Sequence, residues 1–265
     1  RKDAKAVEER FLKSYPFHPD LTEVLYSKWT NLEGFQRTRG VLRTFALALR
    51  QAEKWDESPL IGPNVFLTPP AKAGVSEAAR ELTSVASMEE FEGKKPDWTA
   101  ILNTELDKAR AVQETGPSLH SRELEQAVLA TFLHSQPVGQ KALTRELLVL
   151  LGPTRPDRID LEKALMAWSD VSWFLDEREI APAARPGEPR QLPKAWRLGP
   201  EPNLHRMHHD ARQRIGAEAV EARLLEEIPK VKALTAGASA AGAHVHVLPD
   251  RPKDVDDDGE FHYVV

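Results

Sequence analysis

The sequence predicts a mainly α protein: a helical bundle, then a winged helix-turn-helix domain with a short β-wing. Three observations predict it. Apolar residues recur at helical spacing over most of the chain. Pro and Gly cut that pattern into segments. After Ser118 the segment order becomes helix, helix, helix, strand, loop, strand.

Ala6, Val7 and Phe11 mark a first helix, stopped by Tyr15-Pro16-Phe17-His18-Pro19 because proline disfavours helical geometry before it and removes a donor. Asp20 is placed to cap a second helix with the stripe Leu21, Val24, Leu25 and Trp29. A turn centred on Gly34 leads to a third, with Val41, Leu42, Phe45, Ala46, Leu49 and Ala52 inward. Pro59 to Gly74 reads as an irregular connection with a short strand at Val65-Phe66-Leu67, followed by helices over 76–85, 88–91 and 98–112.

In the second pattern Ser121 caps a helix carrying Leu124, Val128, Leu129 and Phe132. Leu143, Leu147, Leu148 and Leu151 form the next helix. The third begins at Asp157 or Asp160, with Ile159, Leu161, Leu165 and Trp168 inward. Residues 171–176 and 195–198 have strand composition and flank a polar loop at 178–191. Residues 204–234 read as one long helix and 237–242 as a small-residue linker. His244 to Leu248 reads as a strand that belongs with Tyr263-Val264-Val265 in a following domain. The expected domains are 1–55, 56–117, 118–234 and 235–265. The chain begins at Arg1 without an initiator Met and ends on what reads as the opening of a strand, so the protein is expected to continue beyond it.

Composition narrows the function classes. With 41% apolar and 29% charged residues the chain is globular in character. No apolar run approaches the ~20 residues of a membrane helix, and the first ten residues lack a signal-peptide core. The absence of cysteine excludes disulfides and thiolate metal sites and leads to an expected cytoplasmic location. A net charge of -5 gives no global attraction to nucleic acid.

No phosphate loop, dinucleotide fingerprint or serine elbow is present. His205 and His209 have the spacing of zinc ligands in HExxH, with Asp210 as a third donor, but Arg206 occupies the position of the general base. With His208 they read as an exposed polar helix face. His244 and His246 share one face of a strand and read as a solvated face, so no metal site is expected.

Gly34-Phe35-Gln36-Arg37-Thr38-Arg39-Gly40-Val41-Leu42-Arg43 carries the most weight. Two arginines at a helix N-terminus add positive charge where the dipole is already positive. Either an anion such as phosphate relieves them, or they pair with carboxylates such as Glu33. Both readings stand on the residues alone.

That string, with Tyr15-Pro16-Phe17-His18-Pro19 and Leu21-Thr22-Glu23-Val24-Leu25, resembles a family of large bacterial ATPases of the AAA+ type, domain of unknown function four hundred ninety-nine. That family is similar to ATPases of phage-exclusion loci, and its members are often encoded beside DNA methyltransferases. The similarity extends through Leu133-His134-Ser135 and Trp173-Phe174-Leu175-Asp176 to Asp250-Arg251-Pro252-Lys253-Asp254-Val255. It implies that the first bundle is an AAA+ lid, with Arg39, and secondarily Arg37, as sensor arginines for nucleotide phosphate. It implies a parent protein that uses ATP and Mg, whose phosphate loop and Walker B acid lie upstream, so that this chain alone is not catalytic. The implied partners are the upstream ATPase core, a downstream domain, DNA and further copies of the chain.

In the expected winged helix the DNA-contact candidates are Arg158, Lys163, Arg185, Arg190 and Lys194. They are interleaved with Asp160, Glu162, Glu177, Glu179 and Glu188, which is mixed charge rather than a basic stripe. The alternative reading is a structural or protein-interaction module with no nucleotide or DNA role.

Overall fold

A computed structural model describes residues 2–72, 74–116, 118–176 and 191–265. The chain divides into two compact units, Arg1–Met207 and His208–Val265. Both are dominated by helix, and among the described residues no helix is long and apolar enough to cross a membrane.

The first unit opens with α1 (Lys2–Ser14), α2 (Pro19–Ser27) and α3 (Arg37–Ala52). His18, not Asp20, caps α2: its Nδ1 accepts from the Asp20 amide at 3.2 Å. The Asp20 carboxylate is instead held by Arg10 at 2.6 Å. Leu21, Val24, Leu25 and Trp29 are buried as their spacing predicts, and the Trp29 indole donates to the Leu133 carbonyl at 2.9 Å. The buried face of α3 is Thr44, Phe45, Ala48 and Ala52, so the apolar stripe is rotated from the one expected and Leu42 faces outward.

Val65 and Phe66 form a 3-10 turn over Pro63–Phe66 rather than a strand. Only Leu67 pairs, in a single bridge with Val75. Two further helices follow, α4 (Glu77–Ala86), capped by Ser76, and α5 (Trp98–Glu114), capped by Asp97. Residues 88–91 are not helical; a turn with positive φ at Glu92 and Gly93 brings Phe91 to pair with Lys94.

Every residue of α6 (Glu123–His134) is buried, which makes it the central helix of the unit. Ser121 does not cap it. Arg122 takes a left-handed conformation at the entry (φ 58°), anchored through its guanidinium to the Thr68 carbonyl and the Glu125 carboxylate. The Glu123 carboxylate reaches back to accept from the Ser121 amide at 3.0 Å.

After α6 come β1 (Ala142–Leu143), α7 (Thr144–Leu151), α8 (Arg158–Val171) and β2 (Ala195–Trp196). The two strands are antiparallel, with Ala142 opposite Trp196 and Leu143 opposite Ala195. Asp157 caps α8, accepting from the Asp160 amide at 3.0 Å. Ile159, expected inside, is exposed. Of the strand expected over 171–176 only the Leu175–Leu198 bridge forms. Val171 still belongs to α8, and the Trp173 and Phe174 amides are taken by the Glu105 carboxylate, at 2.9 and 3.0 Å, instead of by a neighbouring strand. One continuous hydrophobic core runs from Leu21 to Leu198, and within it Trp168 and Trp196 stack with centroids 5.5 Å apart.

The second unit takes over within α9 (Leu204–Arg214) and continues with α10 (Ala217–Glu227) and α11 (Ala236–Ala240). The expected single helix over 204–234 is interrupted at Gly216, which precedes α10 in extended geometry, at Pro229, which has no amide to donate, and at Val231 between two 3-10 turns. Most of the segment read as a small-residue linker, 237–242, is taken up by α11. The strands β3 (His244–His246) and β4 (His262–Val264) pair in parallel, with His244 opposite His262.

Candidate functional site

The segment from Gly34 to Arg43 divides into residues consumed by packing and residues left to solvent. Phe35 is buried against Trp29, with ring centroids 5.6 Å apart. A Cβ on Gly40 would fall 1.7 Å from the Phe35 carbonyl oxygen, so the chain can enter α3 only with glycine there. A Cβ on Gly34 would meet the Met88 sulfur at 2.7 Å. These three residues close the turn between two 3-10 segments and α3, and Gln36 and Arg37 carry the reversal in left-handed conformations with φ 58° and 49°. Such angles are uncommon outside glycine.

What remains is polar and exposed: Gln36, Arg37, Thr38 and Arg39 all face solvent. The N-terminus of α3 has no side-chain cap and no acidic residue in its first turn. Among the described residues neither Arg37 nor Arg39 has an ion pair, and Glu33 does not reach them. Arg43, one turn further on, is paired with Glu81 through two bonds of 2.9 and 2.7 Å. Arg50 is likewise held by Glu77. Within α3 the cations without an ion pair among the described residues, Arg37 and Arg39, therefore stand at the helix end whose dipole is positive. Arg37 lines a shallow groove of about 420 Å³ with Thr30, Asn31, Glu33 and Gln36. A second cleft, about 250 Å³, lies between α3 and α4 and is lined by Gly34, Gln36, Arg43, Glu81 and Ser84. Arg39 lines neither, so the two sensor candidates share a helix end but not a groove.

Of the DNA-contact candidates, Arg158, Lys163 and Lys194 are among the described residues. Arg158 donates to Glu162 at 2.8 Å, and Lys163 stands 3.7 Å from Asp160, each pair within α8. Lys194 is exposed just before β2, its carbonyl accepting from the Thr144 amide at 3.1 Å. Arg185 and Arg190 lie outside the described residues, as do Glu177, Glu179 and Glu188.

His205, His208 and His209 are exposed on α9, with His209 bonded to Gln213 at 2.8 Å. Among the described residues no three ligand-type side chains converge on a point. Two groups of polar residues are assembled only by the fold, although His246 by itself is legible in the sequence as sharing a strand face with His244. One is Glu105, fully buried and accepting from the Trp168 indole and two backbone amides. A glutamate on the apolar side of an otherwise regular helix is its only sequence signal. The other is Asp258, His262 and His246, joined by hydrogen bonds of 2.7 and 2.8 Å. His262 is 16 residues from His246, and only the strand pairing brings them together.

Comparison with family models, with curated proteins and with solved structures found no match to this chain.

Proposed function

We propose that the first unit is a non-catalytic lid and winged-helix module of an ATP-binding AAA+-like ATPase, in which Arg39, seconded by Arg37, contacts nucleotide phosphate on an ATPase core carried elsewhere in the protein. One observation carries this reading. Packing accounts for Gly34, Phe35 and Gly40 of the resembling string, while its two arginines stay exposed, with no ion pair among the described residues, at an uncapped helix N-terminus. That end offers backbone donors and positive dipole charge to an anion. ATP and Mg belong to the core, and this chain supplies only the guanidinium. The order α6, β1, α7, α8, bridge at Leu175, β2 supports the winged-helix part of the proposal.

The test is ATP turnover by the intact protein. Arg39→Ala removes a charge-assisted bond of about 1.5–3 kcal/mol, a loss of roughly ten- to a hundred-fold in nucleotide affinity or turnover. Arg37→Ala costs less. Unchanged turnover in Arg39→Ala sinks the assignment.

A second reading, a packing or protein-interaction module, is favoured by α8. Its two basic candidates are neutralised by Glu162 and Asp160, and Ile159 between them is exposed. DNA binding through this face is then weak and salt-dependent, because only phosphate attraction remains. Titrating a labelled duplex at two salt concentrations separates the readings: tight binding that ignores salt contradicts the paired geometry.

A further inference from the structure

We propose that His246 and His262 form a two-imidazole site for a divalent transition-metal ion such as zinc, with Asp258 as the supporting carboxylate.

The strand register builds the site. Side chains alternate along a strand, so His244 and His246 lie on the same face of β3. The parallel register sets His262 of β4 opposite His244, and its ring stacks with both, at centroid distances of 5.3 Å to His244 and 5.1 Å to His246. His262 is the covered member, its side chain 13% exposed. His246 is half-buried and His244 exposed, so the face is open to an ion.

The hydrogen bonds fix which nitrogens carry protons. Asp258 Oδ1 lies 2.7 Å from His262 Nε2. A carboxylate only accepts, so in the neutral ring Nε2 bears the hydrogen and Nδ1 presents a lone pair. That lone pair faces His246 Nε2 across 2.8 Å, which makes His246 the donor there. Two ring nitrogens therefore point at one another with a single proton between them.

A metal ion at that gap needs the two nitrogens to part and each ring to tilt by roughly 35° toward the ion, as tetrahedral ligation requires. Zinc–nitrogen bonds of about 2.0–2.1 Å at a tetrahedral angle put the two nitrogens about 3.3 Å apart, so the rings separate by about half an ångström. The proton on His246 Nε2 moves to its Nδ1, both rings stay neutral, and each nitrogen facing the ion holds a lone pair. Asp258 keeps its bond to His262 Nε2–H. A ligating histidine whose other N–H is held by a carboxylate is the usual supporting arrangement of metal sites, since it fixes the tautomer and raises ligand basicity. Asp254, Asp256, Asp257 and Glu260, flanking Asp258 in sequence, add negative charge that favours a cation. Since no third described ligand converges, water completes the coordination.

The test is calorimetric titration of zinc into tag-free chain carrying His205→Ala and His209→Ala, which removes the pair on α9. Near neutral pH, saturable binding at one ion per chain is expected, and acid weakens it, because metal binding displaces protons from its ligands. Asp258→Ala lowers affinity roughly 10–100-fold and His262→Ala abolishes it. A readout that needs no change at the site is the nitrogen NMR of the imidazoles in this background protein: zinc converts His246 to the Nδ1–H tautomer. No saturable heat, unchanged binding in His262→Ala with its circular dichroism intact, or an unchanged His246 tautomer at saturating zinc each overturns the proposal and leaves a hydrogen-bonded histidine pair only.

Discussion

Trp168 donates its indole N–H to the carboxylate of Glu105 across 2.9 Å, with both residues fully buried. The other oxygen of Glu105 accepts from the amides of Trp173 and Phe174. One carboxylate on α5 thus fixes the end of α8 and the chain that leaves it. Glu105→Ala takes the acceptor from the buried Trp168 indole and from the part-buried amides of Trp173 and Phe174. At about 1–3 kcal/mol for an unmet buried group, the expected loss of stability is at least about 1 kcal/mol. Urea unfolding measures it, and a loss below 1 kcal/mol contradicts the clamp.

Stability should fall on acidification through His134. Its ring is buried with neither nitrogen bonded, and burial, with the Lys28 ammonium adding to it, pushes its pKa down to about 4. The folded state therefore favours the neutral ring. The stabilisation is complete above the ordinary histidine pKa of ~6.5 and is lost as pH falls from there to about 4, by roughly 3 kcal/mol. His134→Phe should reduce the slope of unfolding free energy across that window, leaving the part contributed by His18, which burial also pushes down. A wild-type curve already flat there would show the ring to be solvated.

Glu125 acts at lower pH. Burial pushes its carboxyl up, but bonds and charge from Arg122 and Arg110 outweigh this and hold it below the usual range. Its contribution is present above the unfolded pKa and disappears as pH falls through the depressed folded value. Glu125→Gln should remove that acid-limb dependence and lower stability near neutrality, as read by thermal melts across the acid range.

Gly40→Ala and Arg39→Ala, neighbours in sequence, should differ sharply. The alanine Cβ at 40 collides with backbone, the Phe35 carbonyl, so the entry to α3 must shift. A cost of about 1–3 kcal/mol is expected from such overpacking. Arg39 touches no described carboxylate, and its loss should stay within about 0.5 kcal/mol. Melting both variants separates the packing half of this segment from its solvent-facing half. A strongly destabilised Arg39→Ala would show that its guanidinium serves the fold.

The helical character of the chain was legible wherever an apolar stripe met a breaker, as in α2 with Leu21, Val24, Leu25 and Trp29. Errors fell where a long-range partner overrode local preference. His18 displaced Asp20 as a cap because Arg10 had engaged the carboxylate. The strand expected at 171–176 was reduced to one bridge because Glu105, more than sixty residues earlier, supplied the acceptor. At the candidate site, the exposure of Arg37 and Arg39 fits one of the two readings open from sequence. The separation of Arg39 from the groove beside Arg37 depends on the two left-handed residues at its entry, which no periodicity reveals. The strands around His246 and Tyr263 were readable as members of one domain, but the parallel register that joins His246 to His262 was not.

Among the described residues none from His208 to Val265 is buried. Heat-capacity increments on unfolding scale with the apolar area newly hydrated. This unit therefore has little such increment to give, and its own melting should be broad and shallow in a calorimeter. The sharp endotherm of the chain should belong to the tryptophan-rich unit before it. A heat capacity change fitted to the whole length should accordingly fall short of the usual value per residue.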